Sequence, residues 1–268
     1  MEPVEIAVIG GTGVYRADML EDAAWREVRT RYGAAEVLVG RLEGRSAAFL
    51  TRHGKGHSAP PHLINYRANI MALKQLGVRR VVATAAVGSL NERMKPLDFV
   101  LADQFLDFTK ARKNTFFEGG ADGVVHLDVS DPYCHEVRSV IEAQAKALGM
   151  PVHQGGCYVC TEGPRFETPA EIRMFRQLGG DLVGMTSVPE VLLAKEAGMC
   201  YAVIAMVTNY AAGISENPLS HAEVLEAMDT LSGNISRLIM GTLSVMPAEA
   251  SCGCGNMGER FAKMMGEK

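Results

Sequence analysis

The feature that most constrains this chain is an alternation, kept up along nearly its whole length, between short apolar runs and amphipathic segments of helical period. Residues 5–11 (EIAVIGG), 36–42 (EVLVGRL), 46–52 (SAAFLTR), 78–85 (VRRVVATA), 98–105 (DFVLADQF), 155–161, 181–185 and 200–208 read as strands. Residues 65–77, 134–149, 169–179, 188–198 and 221–243 read as helices. That order predicts an α/β fold. Thr168 to Glu171 form a Thr-x-x-Glu capping box with Pro169 at the first helical position, and Ser187 to Glu190 and Ser220 to Glu223 repeat it in the Ser-x-x-Glu form. No linker, repeat or low-complexity block interrupts residues 1–245, which are expected to form one domain. Residues 246–268, mixed in Gly, Met and charge, are expected to form a loosely attached tail.

Composition narrows the function classes. With 268 residues, 47% hydrophobic and 22% charged, the chain has ample core for a compact enzyme-sized domain. Its net charge is only −4 and its basic residues are scattered, which argues against a nucleic-acid partner. No apolar run reaches the roughly 18 residues that read as a membrane span, and the N terminus enters a strand directly; the expectation is a soluble, cytoplasmic protein. Of the six cysteines, Cys134, Cys157, Cys160 and Cys200 lie in apolar or mixed segments, and Cys252 and Cys254 lie in the tail. Their spacing along the chain shows no zinc-ligand pattern, so no metal is expected; Cys157 and Cys160 read as small buried thiols, and Cys252 and Cys254 as thiols of a flexible tail, a local disulfide or an intersubunit link.

Several strand ends carry polar groups beside helix starts, where unpaired N–H donors favour an anion. The first strand leads into Gly10, Gly11, Thr12 and Gly13, where backbone amides can approach a ligand and Thr12 adds a hydroxyl. The run 46–52 ends in Thr51, Arg52, His53 and Gly54, with Lys55 and His57 beyond, and Thr186 stands directly before Ser187. Together these donors point to phosphate. A dinucleotide reading of the glycine loop fails because the spaced third glycine is missing and no acidic residue closes the next strand. The last apolar run stops at Asn209, an amide that either reads a ligand at a strand end or makes a turn.

The segments IGGTG, RHGKGH, INYRANIMALKQLG, ATAAVGSLN, TEGPRFETPAE, GMTSVPEVLLAKEAG and AMVTN occur in the same order in the purine nucleoside and methylthioadenosine phosphorylases, which this chain resembles over about residues 5–240. The resemblance implies a single α/β domain with a mixed, partly barrelled sheet between helices, assembled as homotrimers or pairs of trimers, using inorganic phosphate and no organic cofactor. It implies phosphorolysis, in which phosphate attacks C1′ of a nucleoside and the purine leaves. Thr12, Arg52, His53, Thr186 and the backbone N–H of Ala86 would hold phosphate, and Met185 would lie against the ribose. His126 would reach a neighbouring subunit's site. Ala85 departs from the pattern, since many members have Thr or Asn there.

The same resemblance assigns the base pocket. Asn209 offers an acceptor to a protonated N7 and a donor to a carbonyl at C6. Adenine would leave both groups poorly paired, whereas methylthioadenosine phosphorylases typically have Asp in this motif. Glu167 would accept N1–H of a 6-oxopurine and Phe166 would stack on the base. His221, in a His-x-Glu-Val context, would donate to a 5′-hydroxyl. These three polar positions favour inosine and guanosine over methylthioinosine, methylthioadenosine, or a non-catalytic nucleoside sensor.

Overall fold

The computed structural model describes residues 3–11, 19–54, 56, 58–214 and 220–265, without the side chains of residues 221, 264 and 265. In chain order its elements are β1 (Ile6–Gly10), β2 (Glu21–Thr30), β3 (Gly33–Leu42), β4 (Arg45–Thr51), α1 (Tyr66–Gln75), β5 (Arg80–Ser89), β6 (Phe99–Leu101), β7 (Gln104–Phe108), α2 (His135–Ala147), β8 (Val152–Gln154), β9 (Cys157–Thr161), α3 (Pro169–Gln177), β10 (Leu182–Gly184), α4 (Ser187–Glu196), β11 (Cys200–Tyr210), α5 (His221–Val245) and α6 (Gly258–Met265).

All these strands join one mixed sheet, ordered β2-β3-β4-β1-β5-β10-β9-β7, with β11 on the other edge of β5 and β6 and β8 beyond it. The central strands are buried on both faces, which is why they read as continuous apolar runs. Alternate residues divide between two cores. Ala7, Ile9, Val81, Ala83, Val203 and Ala205 pack with Ile70 and Leu73 of α1 and Val191 and Ala194 of α4. Ile6, Val8, Val82, Ala202 and Ile204 pack on the opposite face with Val137 and Ile141 of α2 and Ile235 and Leu238 of α5. The α/β expectation holds. Among the described residues no helix is long and apolar enough to cross a membrane.

Three local expectations change. β2 carries no apolar alternation, is largely exposed, and forms through antiparallel pairing with β3 rather than through its own pattern. The run 98–105 is two strands, because β6 pairs with β11 while β7 pairs with β9. Between them Asp103 accepts the Gly156 N–H at 2.8 Å and holds the chain as it crosses. The C-terminal segment is also better anchored than its composition suggests: Phe261 is fully buried, edge-on to Phe116 at 5.2 Å.

The capping boxes divide. Thr168 and Glu171 make both reciprocal bonds, and Ser220 accepts the Glu223 N–H. Ser187 and Glu190 do not form one. Thr186 is the N-cap of α4, Val188 has an extended backbone before Pro189, and the two polar side chains are engaged elsewhere in the core: Ser187 with the Tyr133 hydroxyl at 2.6 Å, Glu190 with Arg52.

Candidate active site

A gap in the sheet positions the site. β5 pairs with β1 through Arg80–Ala83 and with β10 through Gly88 and Ser89, all along one edge, so residues 84–87 face an opening between β1 and β10. Three strands end at this opening: β1 at Gly10, β4 at Thr51 beside it, and β10, running antiparallel to β5, at Gly184. Converging strand ends at a break in the sheet make a natural ligand crevice. Ala86 is the exposed residue in the otherwise largely buried β5. The Thr84 carbonyl points into the gap, where Arg52 binds it, while the Val87 carbonyl points the other way to Thr208. Strand alternation therefore turns the Ala86 N–H into the gap.

Arg52 is held rigidly at this edge. Its Nε and Nη2 donate to the two Glu190 oxygens at 2.7 Å each, and Nη1 donates to the Thr84 carbonyl at 2.8 Å. Tyr201 donates to the same carboxylate at 2.7 Å. Burial opposes the guanidinium charge, but Glu190 raises its pKa above the ordinary value. Arg52 has five N–H groups, so hydrogens on Nη1 and Nη2 remain for a ligand. His53, also buried, has Nδ1 2.9 Å from the Ala59 carbonyl. A carbonyl only accepts, so Nδ1 carries the proton and Nε2 is the basic nitrogen of the neutral ring. Thr186 is buried at the end of β10; its N–H reaches the Tyr158 hydroxyl at 3.4 Å, and its side chain does not cap α4. Gly184 must be glycine, since a Cβ there would collide with that hydroxyl. The Thr51 and Thr84 hydroxyls are buried and have no hydrogen-bond partner among the described residues.

The second part of the site lies one strand pair further on. Asn209 is 5% exposed and pairs with Gly88 just past an irregularity in β11, so the strand continues through it instead of stopping there. A Cβ on Gly88 would crowd Val183 at 3.3 Å and stand in ordinary contact with Asn209 Nδ2 at 3.5 Å, which sets the amide beside β10. Nδ2 donates to the Tyr210 carbonyl at 2.9 Å, and Oδ1 accepts from Thr208 Oγ1 at 2.8 Å. The carbonyl fixes which way the amide points, leaving one N–H and one lone pair for a ligand. Glu167 accepts from Thr161 Oγ1 at 2.7 Å, and Thr161 also reaches the Gly184 carbonyl at 3.4 Å. Burial raises the Glu167 pKa, and the Thr161 bond partly offsets the rise. Met185 packs beside Gly163 next to these groups, and Phe166 is 40% exposed.

The family model described as the phosphorylase superfamily matches residues 5–244. The chain belongs to the phosphorylase superfamily. It is 58% identical to a probable 6-oxopurine nucleoside phosphorylase of Moorella thermoacetica, covering 94% of this chain and 96% of that one. It is 52% identical to the 6-oxopurine nucleoside phosphorylase of Pyrococcus furiosus, covering 93% and 96%. A crystal structure of a methylthioadenosine phosphorylase from an Antarctic soil metagenomic library superposes with a TM-score of 0.90 at 37% identity, covering 96% and 91%. With these relatives the chain is a nucleoside phosphorylase, a pentosyltransferase.

In this phosphorylase the structure brings Arg52, His53, Thr186 and the Ala86 edge to one opening, with Asn209, Glu167 and Met185 around its far side. His126 is exposed on the long segment between β7 and α2. Thr12, Lys55 and His57, and the side chain of His221, lie outside the described residues. Two residues escape the sequence reading. Glu190 looks like a helix cap yet grips Arg52, a long-range partner that no local pattern signals. Arg112 is the other: its Nη1 donates to the Met185 and Val188 carbonyls at 2.7 Å each and its Nη2 to the Thr161 and Glu162 carbonyls at 3.0 and 2.8 Å. One buried guanidinium thus ties the loop after β9 to the loop after β10.

Proposed function

We propose that this phosphorylase cleaves 6-oxopurine nucleosides, inosine and guanosine, with inorganic phosphate, releasing the free base and ribose 1-phosphate. The reading is carried by a buried cationic and N–H-rich edge at the break in the sheet, with the Asn209 amide beside Val183 of β10 and the Glu167 carboxylate joined through Thr161 to Gly184 at the end of that strand. At the first end Arg52, His53, Thr186, the Ala86 N–H and Thr12 hold the phosphate for attack on C1′ while the C1′–N9 bond breaks. His53 receives a P–OH proton on Nε2 when neutral and donates from it when protonated. No organic cofactor takes part.

At the other end Asn209 Nδ2 donates its remaining N–H to O6, and Oδ1 accepts from N7 as that nitrogen takes up the proton that neutralises the leaving base. Glu167, ionised, accepts N1–H and, from guanine, a 2-amino hydrogen. Phe166 stacks on the base, Met185 covers the ribose and His221 binds the 5′-hydroxyl. A 6-amino group would face the Asn209 donor with another donor, leaving buried groups unpaired at a cost of about 1–3 kcal/mol each. His126, with its neighbour Val124 60% exposed, fits a segment that completes the site of an adjacent subunit in a homotrimer or hexamer. Residues 1–245 form the catalytic domain, and 246–268 an appended segment.

The test is base release with and without phosphate, comparing kcat/KM for inosine, guanosine, methylthioinosine, adenosine and methylthioadenosine. Phosphate-dependent preference for inosine and guanosine is expected. Preference for methylthioinosine would retain Asn209 and Glu167 but remove His221 from its role, and preference for methylthioadenosine would overturn the base-pocket assignment. Binding without turnover would leave a nucleoside sensor.

A further inference from the structure

Far from this crevice, four of the six cysteines come together. The Sγ atoms of Cys134, Cys200, Cys252 and Cys254 all lie within 4.8 Å of one another. Cys252 Sγ is 3.6 Å from that of Cys134 and 3.3 Å from that of Cys200, and all four are unbridged. We propose that these four cysteines hold a structural zinc ion that fastens the C-terminal segment to the body of the protein.

The geometry fits the ion. Zinc binds four thiolates at about 2.3 Å in a tetrahedron, which puts the sulfurs roughly 3.8 Å apart. The observed spacing is close to that and well beyond the roughly 2.05 Å of a disulfide. Cys134 and Cys200 are buried, and no water or carboxylate ligand is needed to close the shell. The ligands come from three separate places: Cys134 precedes α2, Cys200 opens β11, and Cys252 and Cys254 follow α5. Glu136 accepts the Ser251 and Cys252 N–H groups at 3.1 and 3.2 Å and fixes the entry of the Cys-x-Cys segment.

A second observation is independent of the thiols. Arg80 is 2% exposed and is the sheet partner of Cys200, so the two side chains rise from adjacent strands on the same face. Its Nη1 donates to the Ala248 carbonyl on the way to Cys252, but Nε and Nη2 have no hydrogen-bond partner among the described residues. A buried, under-satisfied cation is costly unless a negative charge accompanies it. Zinc displaces four thiol protons to solvent and leaves a site of net charge −2, with no change in oxidation state. That charge supplies what Arg80 lacks.

Cys200 and Asn209 stand at opposite ends of β11, about 30 Å apart at roughly 3.3 Å per residue, so the ion has no part in the reaction. The test uses the intact chain purified without chelators. Elemental analysis is expected to find one zinc per chain, and alkylation of the unfolded protein without reductant is expected to label all six cysteines. Stripping the zinc with a strong chelator should lower Tm and make the segment after α5 susceptible to protease, with kcat/KM for inosine at moderate temperature unchanged. Refilling with cobalt should give the intense visible absorption of a tetrahedral thiolate site, and Cys254→Ser should abolish it. Absence of zinc, whether the four cysteines are then found as disulfides or as free thiols, would overturn the proposal even where the Cys254→Ser variant fails to fold.

Discussion

Replacing Glu190 with Gln isolates the part of the site that the sequence conceals. Glu190 is fully buried and takes two 2.7 Å contacts from Arg52 and a third from Tyr201. Removing one partner of such a pair leaves an uncompensated buried charge and typically costs about 3–5 kcal/mol. Gln keeps the shape and one oxygen acceptor, so the lower end, about 3 kcal/mol, is expected by guanidinium denaturation. Its amide N–H₂ would face Arg52 or Tyr201 and turn the guanidinium from its present plane. A charge-assisted bond from Arg52 to phosphate is worth about 1.5–3 kcal/mol, so kcat/KM for phosphate at saturating inosine should fall roughly tenfold to a hundredfold. The double variant Arg52→Met/Glu190→Leu separates the two effects. It removes both charges, so stability should return towards wild type while phosphorolysis stays impaired. Glu190→Gln with stability within about 1 kcal/mol of wild type and unaltered phosphate kinetics would refute the reasoning.

Asn209→Asp should lower kcat/KM for inosine by roughly tenfold to a hundredfold and raise it for adenosine, with the new carboxyl protonated where it meets the Tyr210 carbonyl; an unchanged base preference would remove Asn209 from the pocket. Glu167 must be ionised to accept N1–H and its pKa is raised by burial, so kcat/KM for inosine should fall on acidification with a midpoint above the ordinary glutamate range. The same shift costs stability as pH rises from the ordinary glutamate pKa through the raised one, because the folded state favours the protonated form; Glu167→Gln should flatten both profiles. Phe261→Ala should destabilise the whole protein by about 3–5 kcal/mol in denaturant melts, as expected of a buried aromatic, whereas a loose tail would lose well under 1 kcal/mol.

The sequence by itself determined whatever local pattern encodes. Continuous apolar runs marked strands buried on both faces, amphipathic periods marked the helices that cover them, and Thr168 with Glu171 marked the start of α3 to the residue. Ordered motifs singled out Arg52, His53, Thr186, Glu167 and Asn209 for the site proposed above, because each sits at the end of a patterned element. Tertiary structure alone decided that Glu190 leaves its cap for Arg52, that β2 forms from polar residues once β3 offers an edge, and that Arg112 joins two loops through their carbonyls. It also decided that Cys134 and Cys200 meet Cys252, 118 and 52 positions further along the chain. Those outcomes depend on which distant group reaches a buried charge, carbonyl or sulfur first. Desolvation makes such pairings strong enough to override local preference, and spacing along the chain carries no record of them.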